Sequence, residues 1–283
     1  MSIIFLPHGG GPMPLLAEPN HQPLIDYLQG LAAELYKELD KELDKKPRAI
    51  LMISAHWEEV QATVTSAAQP GLLFDYYGFE KQAYDIHYPM AGDPQLAQDI
   101  IHRLKDAGIS AAEDDIRGFD HGTFVPLKLM VPEADIPVVQ LSLLSSLDAQ
   151  AHIDMGKALA ALADEDVLII GSGFTFHNMK AMSLDPEANR SSDDENSVSY
   201  KSQAFDTWLQ ETIADKKLSM AEKEQRLVDW QQAPHARFCQ PREEHLLPLM
   251  VCFGAAMAKE SLTAEVGFDD FLLGGKTSGF VWQ

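Results

Sequence analysis

The apolar residues of this chain fall into short unbroken runs separated by abrupt polar stops. Ala49 to Ile53 contains no polar position, and such a run reads as a strand buried on both faces, the pattern of a parallel sheet covered by helices. It stops at Ser54-Ala55-His56-Trp57, so an imidazole is expected where the strand ends. Ser2 to Leu6 runs in the same way into Pro7-His8-Gly9-Gly10-Gly11-Pro12, and Val167 to Ile170 into Gly171-Ser172-Gly173, with His177-Asn178 beyond. Open α/β sheets bind ligands outside the carboxyl ends of their strands. Three strands that each deliver a histidine to that edge point to a metal or acid–base site.

Between these strands the period changes to that of a helix. Leu24, Leu28, Leu31, Leu35 and Leu39 recur at helical spacing until Pro47, and Lys37 to Lys46 alternates in sign on a solvated face. Asp93-Pro94 caps a second helix that Gly108 ends. Arg117 to Thr123 reads as a glycine-flanked loop that presents His121, and Ile136 to Leu141 as a strand. Asp148 caps a helix running to about Ala163. Ser183 to Ser199 is acidic and nearly free of large apolar residues, the composition of a mobile insertion. Two helices follow, the second opening on the capping box Ser219-Met220-Ala221-Glu222. Pro241 to His245 opens an apolar helix through Leu249, Phe253 and Met257, which puts His245 in its first turn, where the dipole disfavours imidazolium. Glu243 and Glu244 stand beside it as alternative carboxylate ligands. Ala264 to Trp282 alternates around Gly274-Gly275 as a terminal hairpin. With no internal repeat and no long linker, the expectation is one α/β domain over residues 1–283. Its central, largely parallel but mixed sheet is flanked by helices, with the metal site at the strand carboxyl ends.

Charge and composition narrow the partners. A net charge of -21 argues against nucleic acid and against an anionic membrane surface, both of which need clustered Lys and Arg. No apolar run approaches the roughly 18 residues of a membrane helix, and no basic segment with a long apolar core opens the chain as a signal peptide does. Cys239 and Cys252 form neither a metal spacing nor a disulfide framework, so reduced thiols in a cytoplasmic protein are expected. Monomer and homodimer both stay open.

Of ten histidines, His21, His87, His102, His152 and His235 lie in polar loops or off the apolar faces of helices and read as surface or structural residues. His8, His56, His121, His177 and His245 each sit at an element end beside glycine or a helix start. Neutral imidazole is both the commonest metal ligand and the usual general base near pH 7. Six aromatics crowd between Phe74 and Tyr88 without a clean period, either as a loop packed over the sheet edge or as a wall for a planar substrate. Other chemistries fail on spacing. There is no H-E-x-x-H and no G-x-S-x-G, and Asp270 stands where a P-loop before Gly275-Lys276-Thr277 needs glycine. A mononuclear histidine site with open positions remains, suited to non-haem Fe(II) oxygen chemistry or to zinc hydrolysis.

These residues resemble the class III extradiol ring-cleavage dioxygenases, in the branch of the 4,5-DOPA dioxygenases. The resemblance rests on P-H-G-G-G-P at 7–12, S-A-H-W at 54–57, Y-G-F at 77–79, Y-P at 88–89 and F-D-H-G-T at 119–123. It continues in P-V-V-Q-L-S at 137–142, G-S-G-F-T-F-H-N at 171–178 and E-H-L-L-P-L at 244–249. It implies that His8, His56 and His245 bind the metal, the last where distant relatives use a carboxylate. It implies that His177 is the base, or a further ligand to zinc, and that His121 is the acid or oxygen-positioning residue. Fe(II) is the implied cofactor, with Zn(II) an alternative occupant, and a catechol and O2 are the implied substrates. Pro7 and an extra glycine depart from the family's usual S-H-G-S-P, the acidic 183–199 segment is longer than expected, and 276–283 matches poorly. The rival readings are a zinc-dependent hydrolase using the same histidines and a non-catalytic metal- or aromatic-ligand-binding protein.

Overall fold

The computed structural model describes residues 1–37, 46–259 and 262–283, with the side chains of 34–37 left aside. The expectations for Leu39 and for most of the Lys37–Lys46 run lie outside the described residues. Eight strands form one sheet, β1 (Ile3–Pro7), β2 (Ala49–Glu59), β3 (Ala62–Thr65), β4 (Ala111–Asp114), β5 (Val138–Leu144), β6 (Val167–Gly173), β7 (Ala264–Leu272) and β8 (Gly275–Trp282), in the order β4-β3-β5-β2-β6-β1-β8-β7. The central β5-β2-β6-β1 block is parallel throughout. β3 and β8 join it antiparallel, which makes the sheet mixed as expected.

The unbroken apolar runs are explained by two cores. Ile3, Phe5, Leu51, Ile53, Val167 and Ile169 face one side; Ile4, Leu6, Ile50, Met52, Leu168 and Ile170 face the other. Fully burying each such side chain stabilises by about 1.5–3 kcal/mol. The first core is closed by α2 (Pro94–Asp106), α4 (Ala149–Leu159), α5 (Val198–Ala214) and α8 (Leu247–Met257), the second by α1 (Gln22–Lys37) and α3 (His121–Met130). Helices α6 (Met220–Val228) and α7 (Ala236–Cys239) complete the chain between α5 and α8. Helices α4 and α8 meet through glycines: a Cβ on Gly254 would lie 2.0 Å from the Ile153 carbonyl oxygen, and one on Gly156 2.0 Å from that of Val251. Among the described residues no helix is long and apolar enough to cross a membrane.

Three local expectations change. β2 does not stop at Ile53 but continues to Glu59, with a register shift between Ile53 and Glu58. The cause is visible in the shift: the His56 amide donates to Ser54 Oγ at 3.2 Å instead of to a neighbouring strand, and such a bulge re-aims the side chains within it. The segment around His121 is not a loop throughout, because His121 is the first residue of α3. The chain from Pro241 to Leu246 is not helical, so His245 precedes α8 rather than lying in its first turn. The acidic 183–199 segment makes hydrogen bonds to the β7–β8 turn, the Ser183 amide on the Leu273 carbonyl at 2.9 Å and the Gly274 amide on Asn189 Oδ1 at 2.6 Å. Strands β7 and β8 form the expected hairpin, turning through Leu273 and Gly274, both at positive φ as a tight two-residue turn requires.

Candidate active site

All five singled-out histidines converge on one cavity of about 500 Å³ at the carboxyl ends of β1, β2 and β6. His8 follows β1 directly, and its ring state is set by a chain of contacts that begins with a proline. Pro126 has no N–H for the Gly122 carbonyl one turn before it, and that carbonyl instead accepts the Ser172 hydroxyl at 2.5 Å. The Ser172 oxygen is then left as acceptor for His8 Nδ1, 3.0 Å away. His8 therefore carries its proton on Nδ1 and presents Nε2 as a lone pair. Fixing the tautomer through the far nitrogen is how proteins prepare histidine for a metal.

The other rings are held by carboxylates. Asp75 Oδ1 accepts both the His121 amide, at 3.0 Å, and His121 Nδ1, at 2.7 Å, while Asp75 Oδ2 lies 3.6 Å from His56 Nδ1. Glu244 Oε1 lies 3.1 Å from His245 Nδ1 and 3.3 Å from His177 Nδ1, and Arg242 holds its other oxygen at 3.3 Å. Burial raises the pKa of Glu244, but the hydrogen bonds from His177 and His245 outweigh it and hold the carboxyl far below its usual range. Burial, followed by the neighbouring imidazoles, pushes His8 and His56 well below the ordinary histidine value. Burial and then His177 bring His245 to about 3, so its neutrality comes from desolvation and not from a helix dipole.

Backbone contacts fix these positions. The Phe174 amide donates to the His245 carbonyl at 2.8 Å, and a Cβ on Gly173 would stand 2.1 Å from that same oxygen, so only glycine lets β6 reach the His245 segment. A Cβ on Gly122 would meet Ser54 Oγ at 2.5 Å and the His56 ring at 3.0 Å. Beneath them Asp120 is fully buried and accepts from Ser54 Oγ at 2.7 Å, from Arg117 at 3.2 Å and from Gln140.

The donor set fits a cation. The Nε2 atoms of His8 and His56 lie 3.0 Å apart, a separation at which two lone pairs repel unless a proton or metal sits between them. Rings that share an ion have centroids about 3.2 Å from it, hence about 4.5 Å apart at a right angle and about 5.2 Å at the tetrahedral angle. The pairs His8–His56, His56–His245 and His8–His245 measure 4.9, 4.9 and 5.4 Å. By ligand atoms within 4.8 Å of one another, His121 groups with His8 and His56, and His245 with His177 and Glu244. The ring of His121 is 5.4 Å from that of His8. The same His121 ring, however, is 3.9 Å from that of His56, crowded for two ligands of one ion. His177 stacks on His245 at 3.4 Å with 17° between planes, and planes so placed meet only about 11 Å away, too far for both in-plane lone pairs to reach an ion bound at about 2 Å.

Of the histidines set aside, His87, His102 and His235 are exposed, while His21 and His152 are buried with internal partners. His21 has a role its polar context hid. Its Nε2 accepts the Gly10 amide at 3.0 Å and its Nδ1 meets Glu18 at 2.6 Å, bracing the glycine loop that lines the cavity. Both aromatic readings hold in part: Tyr76, Tyr77 and Phe79 line the cavity, whereas the Tyr88 hydroxyl donates to the end of α3.

Comparison with known proteins identifies the family. A family described as the catalytic LigB subunit of aromatic ring-opening dioxygenase matches residues 3–271. The dioxygenase tasH of Hapsidospora irregularis is 39% identical over 92% of this chain and 79% of its own length. The 4,5-DOPA dioxygenase extradiol of Beta vulgaris is 36% identical over 89% and 85%, and the Escherichia coli K12 protein of that name 32% over 94% and 89%. The crystal structure of an uncharacterized Escherichia coli K12 protein superposes with a TM-score of 0.74 at 28% identity, covering 99% of both chains. The chain thus belongs to the LigB family of metal-dependent aromatic ring-opening dioxygenases, the class III extradiol group that its histidine motifs resemble.

Proposed function

We propose that this protein is an Fe(II)-dependent extradiol dioxygenase that opens a catechol, DOPA-like or related, beside its hydroxyls and forms a semialdehyde with both atoms of O2. The observation that supports the reading is the mutual ring spacing of His8, His56 and His245, with His177 stacked on His245. In this reading those three hold the metal, and Glu244 and Ser172 fix the tautomers of His245 and His8. Iron, when bound, supplies the redox chemistry with dioxygen and favours the ionised catechol.

The chain's own residues supply binding and proton transfer. His177 lines the cavity with Nδ1 toward Glu244, so its Nε2 is the group to accept a catechol hydroxyl proton, and the carboxylate stabilises the imidazolium formed. His121 is backed by Asp75 in the same manner. Protonated, it donates from Nε2 to oxygen where negative charge develops. Tyr76, its ring 5.7 Å from that of His121, and Phe174, 5.0 Å from His8, flank a planar ring and exclude water. In this reading Glu244, with His177, His245 and Arg242 already on its oxygens, acts as a positioning residue.

The test is oxygen uptake by anaerobically Fe(II)-reconstituted protein over a catechol panel, with Zn(II)-loaded protein as control. Stoichiometric uptake with a yellow product, in the iron form alone, is the expected result. Absence of uptake from protein shown to hold iron would refute it.

A further inference from the structure

The imidazoles His8, His121 and His245 lie in the depth of the cavity, where they are nearly inaccessible. Toward the mouth the chemistry changes. Met13, Phe79 and Met182 line the wall. Tyr77, Met179 and Leu184 stand at the rim, 92%, 73% and 50% exposed. An apolar rim that large side chains leave in water marks a surface built to be covered, and methionine suits it to substituents of varied shape.

What the wall lacks is equally specific. Among the described residues no lysine or arginine lines the cavity. Lys180, next to Met179, is exposed and not part of the wall, and Arg242 is engaged by Glu58 and Glu244. The lining carboxylate is Asp75, with His121 on one oxygen and His56 near the other. An amino-acid or acid substituent would bring a carboxylate against this wall, where it loses water and meets no lysine or arginine, which is the costly way to bury a polar group. The net charge of -21 adds a repulsive field for any anionic side chain. Space is not limiting, since a benzene-sized ring needs only roughly 150 Å³ of the about 500 Å³ present.

From the apolar rim and the absence of any lysine or arginine in the lining we propose that this cavity selects catechols bearing an apolar, uncharged substituent, alkyl or aryl, over those bearing an amino acid or a carboxylate. The proposal rests on the ring-opening reading for its catechol half and on the lining for its substituent half. It separates this chain from what the names of its plant and bacterial relatives would suggest at 32–36% identity.

The experiment compares 4-butylcatechol, 3,4-dihydroxyphenylpropanoate, dopamine and DOPA. Binding is read by tryptophan fluorescence or calorimetry on redox-inert Zn(II)-loaded protein, and kcat/KM by oxygen uptake on the Fe(II) form. Each buried methylene strengthens binding roughly fourfold, so 4-butylcatechol is expected to exceed DOPA and the propanoate by at least about tenfold in both measures. Leu184→Arg, at the solvent-facing rim, is expected to move the preference toward the propanoate by about fivefold or more, the scale of a desolvated ion pair. Binding of DOPA or the propanoate equal to or better than that of 4-butylcatechol overturns the proposal. If 4-butylcatechol binds preferentially but no catechol consumes oxygen, the selectivity stands and the dioxygenase reading falls.

Discussion

Replacing His177 and His245 in turn by alanine separates the two members of the ring stack. Their planes are 3.4 Å apart and inclined by 17°, so one in-plane lone pair can serve the ion and the other cannot. In the proposed reading the ligand role falls to His245, whose ring lies 5.4 and 4.9 Å from those of His8 and His56. Loss of an outer hydrogen-bond partner of a metal ligand already costs roughly 10–100-fold in affinity. Loss of the ligand itself in His245→Ala is therefore expected to exceed that range. His177→Ala leaves His8, His56 and His245 in place, and Glu244 still fixes the His245 tautomer. Its affinity for Fe(II) is expected to stay within about tenfold of the parent, the small end of an outer-partner effect. Turnover of a good catechol is expected to fall by about 10²–10⁴-fold, the contribution of a positioned general base. The assay is metal stoichiometry and Kd by competition with a chelator, paired with oxygen uptake at saturating iron. Equal loss of metal in the two variants would refute the argument from ring planes and make His177 a ligand.

Three further outcomes follow from other parts of the structure. Glu244→Gln removes the charge that both Nδ1 groups face and is expected to weaken metal binding by roughly 10–100-fold, read by the same chelator competition; unchanged affinity would contradict its positioning role. Gly173→Ala places a Cβ where the His245 carbonyl now lies at 2.1 Å; destabilisation of about 1–3 kcal/mol is expected in urea unfolding, together with loss of metal. Asp206 is fully buried, accepts from Ser278 and Thr175 at 2.7 Å each, and has its pKa raised chiefly by burial. A raised folded-state pKa means that the native state holds the proton more tightly. The associated stability is present below the unfolded carboxyl pKa and declines as pH rises through the folded one. Unfolding free energies measured from about pH 4 upward should therefore fall with pH more steeply in the parent than in Asp206→Asn, and parallel profiles would refute the assignment.

How much of this was legible in the sequence depended on how locally each feature is encoded. The parallel strands were readable because burial on both faces leaves an unbroken run, as in Ile50, Leu51 and Met52. Strands β3 and β4, four residues each and led by alanine, carry no such run and escaped. Helix α3 was hidden because glycine and proline stand at Gly122 and Pro126, residues that ordinarily signal a turn. Those same residues build the site, since Gly122 lets the His56 ring approach and Pro126 leaves a carbonyl free for Ser172. Where a local rule is broken at a functional site, local reasoning errs for the reason the site works.

The histidines were found because each ends an element, but their pairing could not be. Which carboxylate backs which ring depends on contacts between Asp75 and His121, 46 residues apart, and between Ser172 and His8, 164 residues apart. No spacing rule connects such positions. Position within an element was equally unreadable for His245, assigned to a helix dipole and found before the helix. The conclusion drawn from the dipole, a neutral ring, survives on a different cause: enclosure among His8, His56 and His177 removes water from the His245 ring. Burial and the neighbouring imidazoles together lower the tendency of His8, His56 and His245 to protonate, so these three rings are prepared to meet a cation that is not a proton.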